Sequence, residues 1–113
     1  MHEMSLAEGV LQLVESTAER EQARCVKSVV LEIGALSAVE PEALRFCFDA
    51  ITRGSVAEGA RLDILLLPGQ GICLACTAEV PMNERYGSCP HCGSHQMQAT
   101  QGLSMRVKEI EIE

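Results

Sequence analysis

Tryptophan is absent from this 113-residue chain, and with one Tyr and two Phe the aromatics amount to only 3%. A core without large rings has to be filled by Leu, Val, Ile and Ala. That suits one compact aliphatic domain, or a small domain with a smaller appendage. Basic residues are also scarce: nine Lys and Arg stand against sixteen Asp and Glu, a net charge of −7 and a pI of 4.9. This balance argues against a general nucleic-acid binder, which needs cations to displace counterions from phosphate. The shortage of rings argues against stacking on single strands. An acidic surface suits solubility, a basic protein partner or a cation. No apolar run is long enough to span a bilayer, and no basic-then-apolar leader opens the chain. The expectation is a cytoplasmic protein with no membrane partner, where thiols stay reduced. Six cysteines then need a role other than a disulfide framework.

Periodicity gives the organisation. "SLAEGVLQLVESTAEREQA" opens with the pattern Ser5-x-x-Glu8 of a capping box, and Leu6, Val10, Leu13, Val14 and Thr17 follow at helical spacing. "VKSVVLEIG" is β-branched and reads as a strand ending at Gly34. "EPEALRFCFDAITRG" reads as a second helix, with Pro41 at its first position, Gly54 at its exit and an apolar stripe of Leu44, Cys47, Phe48 and Ile51. "RLDILLLPG" reads as a second strand stopped by Pro68 and Gly69. Residues 70–101 differ in character: four Cys, two His, several Gly and Pro, and almost no aliphatic core. Strand character returns in "LSMRVKEIEIE", where Leu103, Met105 and Val107 alternate in one phase and Ile110 and Ile112 in the other. The slip around Lys108 and Glu109 predicts a bulge or twist. The fold class is therefore α+β: a small sheet with two helices on one face, plus an inserted four-cysteine zinc-ribbon-like lobe. The domain boundaries expected are 1–69 with 102–113 for the α+β domain and 70–101 for the lobe.

In the lobe, Cys73-x2-Cys76 and Cys89-x2-Cys92 are separated by twelve residues. Two residues between cysteines let a tight turn aim both thiolates at one metal while backbone N–H groups point at the sulfurs. Two such turns give a tetrahedral all-sulfur set, which favours zinc. In "CPHCG", Pro90 sets φ and Gly93 allows a left-handed exit. With so little apolar content, metal binding and local folding are expected to be coupled. Disulfides are disfavoured by compartment, and redox chemistry by the doubled pair without a strand–helix context. An iron–sulfur cluster fits the ligand type, but the double-turn spacing is more typical of zinc. Four strong ligands leave no open position, so the zinc is read as structural. His91 and His95 sit beside the second pair, and solvent-facing turn residues are the plainer reading for both. Cys47 reads as core, and Cys25 has no evident role.

The chain begins Met1-His2-Glu3. Borderline divalent metals such as Ni(II) or Cu(II) accept a terminal amine, backbone amide nitrogens and an imidazole in a square plane. His2 in second place offers that chelate with the Met1 amine, and Glu3 an amide or carboxylate donor. Met1 is expected to remain, because removal of an initiator Met favours a small second residue and His is not small. Zinc has no square-planar preference, so two sites of different geometry would sort two metals.

The start "MHEMSLAEG", the middle "VVLEIGALSAVEPEALRFCFD", the lobe ending "CPHCGS" and the tail "TQGLSMRVKEIEIE" together resemble the HypA/HybF family of nickel-incorporation proteins for [NiFe]-hydrogenase maturation, from end to end. The resemblance implies a small metallochaperone and not an enzyme. It implies nickel, the transferred metal, at Met1, His2 and Glu3, with structural zinc on Cys73, Cys76, Cys89 and Cys92. Some members add an acidic ligand near the second helix, which falls on Glu40; an acidic residue there also suits the helix macrodipole. The implied partners are a nickel-handling GTPase and the [NiFe]-hydrogenase large subunit precursor, and some members also serve urease. The rival reading is a zinc-ribbon adaptor without transferable metal, which would hold one zinc and ignore added nickel. A hydrolytic zinc enzyme would need an open coordination site and a general base, and neither is visible.

Overall fold

The computed structural model describes residues 2–85 and 87–113. In chain order the elements are α1 (His2–Arg20), β1 (Val26–Gly34), α2 (Pro41–Ile51), β2 (Arg61–Leu67), β3 (Gly69–Cys73), β4 (Glu79–Met82), β5 (Met97–Gln101) and β6 (Met105–Ile112). They form two three-stranded sheets, ordered β2-β1-β6 and β4-β3-β5, so the architecture is α+β as the sequence implies. The chain divides into two compact units. One comprises the segment up to Leu31 with Val39–Leu65 and Arg106–Glu113; the other comprises Glu32–Ala38 with Leu66–Met105.

In the first unit α1 and α2 pack on each other. The buried stripe of α1 is Ala7, Val10, Val14 and Ala18, a helical spacing in which small alanines let a neighbour approach closely. This corrects the expected stripe in part: Leu6 and Thr17 are only half-buried and Leu13 is exposed. The predicted capping box is also overturned. The helix starts at His2, so Ser5 and Glu8 lie inside it, and a side chain there has no cap position to fill. The helix ends without a glycine. Gln22 takes φ +54°, while the Ala23 and Gln22 N–H groups donate to the Ala18 and Glu19 carbonyls at 2.8 and 3.1 Å. That pair closes a Schellman motif and turns the chain into β1.

β1 buries Val29, Leu31 and Ile33 in one phase, as a strand between two neighbours should. Glu113 and Cys25 exchange backbone bonds, and Ser28 Oγ donates to Glu111 Oε1 at 3.2 Å. β6 therefore runs antiparallel to β1. Ala35 N–H donates to the Leu67 carbonyl at 2.9 Å, just beyond the carboxyl end of β1 and at that of β2. Those two strands run parallel, with α2 as the crossover such a pair requires. In β6 the half-buried residues are Met105, Val107, Ile110 and Ile112, the two phases seen in the sequence, whereas Leu103 lies before the strand and is exposed.

The second unit holds strands that the sequence pattern did not announce. β3 lies between β4 and β5 and pairs antiparallel with both. These strands are only four or five residues long, too short to show a period. Val80 and Met82 are buried on β4. Gly71 on β3 makes that packing possible: a Cβ there would lie 2.0 Å from Met82 Sδ and 2.8 Å from the Gln98 carbonyl oxygen.

Candidate metal centre

Each Cys-x-x-Cys turn is built by the same hydrogen bonds, offset by sixteen residues (73 to 89). In the first, Cys73 N–H donates to Ala78 O and Thr77 N–H returns to Cys73 O, at 2.9 and 2.8 Å. In the second, Cys89 N–H donates to Ser94 O and Gly93 N–H to Cys89 O, both at 2.8 Å. Thr77 at φ +63° and Gly93 at φ +76° occupy equivalent left-handed positions. Glycine takes that conformation freely, whereas threonine is strained in it. The turns also aim amides at sulfur: Cys76 N–H at Cys73 Sγ, 3.5 Å, and His91 N–H at Cys89 Sγ, 3.4 Å.

The four sulfurs lie within 4.8 Å of one another, with Cys73 to Cys92 at 3.5 Å and Cys76 to Cys89 at 3.7 Å. A tetrahedron with metal–sulfur bonds of about 2.3 Å has edges of about 3.8 Å, so the Cys73–Cys92 and Cys76–Cys89 pairs stand close to the spacing of a tetrathiolate zinc and the full set is gathered within an ångström of it. Cys73 and Cys89 are buried, while Cys76 and Cys92 are exposed. The site therefore has a protein-covered side and a solvent side. His91 and His95 are exposed and add no ligand to the cluster.

Electrostatics agree with a site built for a cation. The amide of Cys76, opposed by burial and aided by the Ala75 amide, brings the Cys73 thiol down to about 7. The amide of Cys92, with that of His91, lowers Cys89 likewise. The Ser94 amide pulls Cys92 the same way but is outweighed. The proton shared with Cys73, together with burial and the Cys76 and Cys89 sulfurs, pushes Cys92 up to about 12. Cys76 is raised as well: the Ala78 amide is opposed by burial and by the Cys73 and Cys89 sulfurs. Four thiolates this close repel, so without a metal some stay protonated.

The second candidate region is the start of α1. His2 is exposed, with Nδ1 3.3 Å from Glu3 Oε2. The same Glu3 oxygen accepts the Glu40 N–H at 3.3 Å, and Glu40 Oε1 accepts the Glu42 N–H at 3.4 Å as the N-cap of α2. The Glu40 amide is the main reason the Glu3 carboxyl lies below its usual range, followed by His2. Residues 37 positions apart thus share a neighbourhood that no local motif reveals. These groups are linked in pairs. The gathered set of three or more His, Cys, Asp or Glu ligand atoms among the described residues is the cysteine cluster. Met1 lies outside the described residues. Cys47 is buried as expected, and Cys25 is half-buried with Sγ 3.7 Å from Glu113 Oε2.

The family described as "Hydrogenase/urease nickel incorporation, metallochaperone, hypA" matches residues 1–112. The chain belongs to the HypA family. It is 68% identical over 113 residues to the hydrogenase maturation factor HypA of Dechloromonas aromatica and 57% identical to that of Azotobacter vinelandii, with both chains covered in full in each case. Among solved structures it is similar to the solution structure of the Ni metallochaperone HypA from Helicobacter pylori. That likeness has 30% identity and a TM-score of 0.68, covering 97% of this chain and 96% of the other. A second HypA solution structure matches with 31% identity and a TM-score of 0.72, covering 100% and 97%. None of the described helices is long and apolar enough to cross a membrane.

Proposed function

We propose that this HypA-family chain is a nickel metallochaperone, binding Ni(II) at its amino terminus and delivering it during maturation of [NiFe]-hydrogenase. The observation that carries the reading is an exposed His2 opening α1 in a chain whose family is one of nickel incorporation. The first amides of a helix have no carbonyl acceptor within it. The His2 and Glu3 backbone nitrogens can therefore give up protons to a metal without breaking a helical bond. Together with the Met1 amine and the His2 ring they make the square-planar donor set that Ni(II) accepts. Without metal, His2 Nδ1 rests against Glu3 Oε2; closing the chelate through that ring nitrogen gives up this contact. Glu40, held beside Glu3, is the proposed additional donor, and its second carboxylate oxygen is not engaged by the cap.

Zinc is assigned to Cys73, Cys76, Cys89 and Cys92, where it ties two turns together and closes the fold of the lobe. Four thiolates leave no position for substrate, so the role is structural and the protein is not an enzyme. Nickel handling then belongs to residues 1–69 with 102–113, and zinc holding to 70–101. The partners are a nickel-handling GTPase and the hydrogenase large subunit precursor, met in the cytoplasm. Weak binding at an exposed terminus suits handover by ligand exchange. Because the amine, amides and imidazole must shed or lack protons to coordinate, nickel binding should weaken in acid.

The test is titration calorimetry with nickel on tag-free, zinc-replete protein and on His2→Ala. Uptake is expected in the first and lost in the second, and a residue added ahead of Met1 should abolish it with zinc content unchanged. Equal nickel uptake by both proteins would remove the amino-terminal assignment. A zinc-loaded protein that ignores nickel would be the adaptor instead.

A further inference from the structure

The cysteine cluster can do more than hold a cation, a reading that rests on the zinc assignment above. Its sulfurs meet across the two turns, Cys73 with Cys92 at 3.5 Å and Cys76 with Cys89 at 3.7 Å. Each meeting joins a buried residue to an exposed one: Cys73 is buried and Cys92 exposed, Cys89 is buried and Cys76 exposed. An oxidant arriving from water therefore reaches one member of each pair, and the other member stands directly behind it. Cys47 is buried and Cys25 half-buried, and neither joins the gathered set.

Inside each turn the buried sulfur is already committed to backbone. The Cys76 N–H is aimed at Cys73 Sγ, 3.5 Å away, and the His91 N–H at Cys89 Sγ, 3.4 Å away. Each buried sulfur is thus seated on its own turn and open toward the other. A disulfide bond is about 2.05 Å long, so the cross-turn pairs need to close by only about 1.5 Å, within the reach of side-chain rotation. Bridges of this connectivity span 19 and 13 positions, against 3 for a bridge inside a turn. Longer closed loops restrain the unfolded lobe more. Cross-turn bridges also keep the two turns tied, as a metal would, whereas bridges inside the turns would leave them untied.

We propose that the four cysteines are a reversible, peroxide-sensitive modification site, in which oxidation joins Cys73 to Cys92 and Cys76 to Cys89 and expels zinc. The exposed Cys92 thiolate attacks one oxygen of a hydroperoxide, the O–O bond breaks and hydroxide or alkoxide leaves. The Cys73 thiolate then attacks the resulting sulfenic acid; the S–S bond forms, the S–O bond breaks and hydroxide departs. The pair has given up two electrons, and one peroxide has accepted them. Cys76 and Cys89 react in the same way with a second peroxide. Disulfides offer the metal no thiolate, so Zn(II) leaves. Dithiols reverse both bridges by exchange, which keeps them transient in a reducing compartment.

Tag-free, zinc-loaded protein treated with hydrogen peroxide tests this. One zinc per chain should pass to a chromophoric chelator. Four of the six thiols should disappear, leaving Cys25 and Cys47 free to alkylate in denaturant. Trypsin cuts after Arg61, Arg85 and Arg106, which puts Cys73 and Cys76 on one peptide and Cys89 and Cys92 on another. Before reduction these two peptides should be linked, and fragmentation of the linked species should show Cys73 bound to Cys92 and Cys76 to Cys89. Dithiothreitol with added zinc should restore the metal and the starting circular dichroism spectrum. Unlinked peptides, each with its own internal bridge, overturn the proposal. So do the opposite cross-pairing, zinc retained while the thiols are lost, and sulfinic or sulfonic products without bridges. Metal analysis before treatment separates the two readings. A chain that holds no zinc sinks the zinc assignment and the release step with it, and peroxide treatment of that reduced, metal-free protein still decides the connectivity.

Discussion

Replacing Gly71 with alanine should loosen the hold on zinc without touching a single ligand. The new methyl would stand 2.0 Å from Met82 Sδ and 2.8 Å from the Gln98 carbonyl oxygen. The thioether is the end of a flexible side chain and can swing away. The carbonyl belongs to β5, the neighbouring strand, and can yield only if the β3–β5 ladder shifts. Met82 is 6% exposed, so moving it surrenders buried apolar surface. Overpacking of this kind costs about 1–3 kcal/mol. β3 ends on Cys73, the first proposed ligand, and on that proposal folding of the lobe is coupled to metal binding. The cost should therefore appear as a loss of zinc affinity of about 5- to 150-fold. A chromophoric chelator competing for zinc measures it. Gly93→Ala is the contrast: nothing lies within 4 Å of its added carbon, but φ is +76°, so strain of about 1–2 kcal/mol acts alone. Nickel uptake should be unchanged in both. If Gly71→Ala holds zinc as tightly as the parent, the packing of β3 under the site is not what supports it.

Zinc affinity should fall with pH and steepen below about 7, where the Cys73 thiolate, otherwise sheltered by the Cys76 amide, also takes up a proton. Competition titrations from pH 5.5 to 8.5 should show the slope approaching about four decades per pH unit at the acid end, since four thiols must then be emptied. The Glu3 carboxyl, lowered first by the Glu40 amide, contributes stability that is present above its unfolded pKa and lost as pH falls through the folded value. The thermal midpoint of the parent should therefore exceed that of Glu3→Gln at neutral pH, and the gap should close as pH falls, the two converging in acid. Glu40→Ala removes the N-cap acceptor of α2 and should cost about 0.5–2 kcal/mol in denaturant unfolding, whereas Glu40→Gln keeps an acceptor oxygen. Nickel affinity that falls equally in both variants would mark the charge, and not the cap, as what the metal uses. Leu31→Ala, at a position with 0% exposure, should destabilise by about 2–5 kcal/mol.

Much of the fold was readable because its signals are local. β1 was expected over Val26–Gly34 and lies there. The Pro41 start of α2 also stands as expected, with Leu44, Cys47 and Phe48 of its stripe buried and Ile51 only half-buried. The first helix was placed too late, because a capping motif at Ser5 matched a pattern that nothing nearby contradicted. The helix begins at His2 instead, and Glu3 in its first turn accepts the distant Glu40 N–H, a contact with no local signal. β3, β4 and β5 were missed because their pairing, and not their composition, makes them strands.

Spacing alone was enough to name the four cysteines as one metal set, since Cys-x-x-Cys is a turn chemistry contained within a few bonds of the backbone. The donor types at Met1, His2 and Glu3 are equally local. Tertiary structure decided which thiols are buried and which face water. It also decided that Glu40 stands beside Glu3 and that Phe46 is left uncovered. Each of these depends on residues far apart in the chain being brought within a few ångströms, and a distance of that kind is set by packing and has no trace in the neighbouring letters.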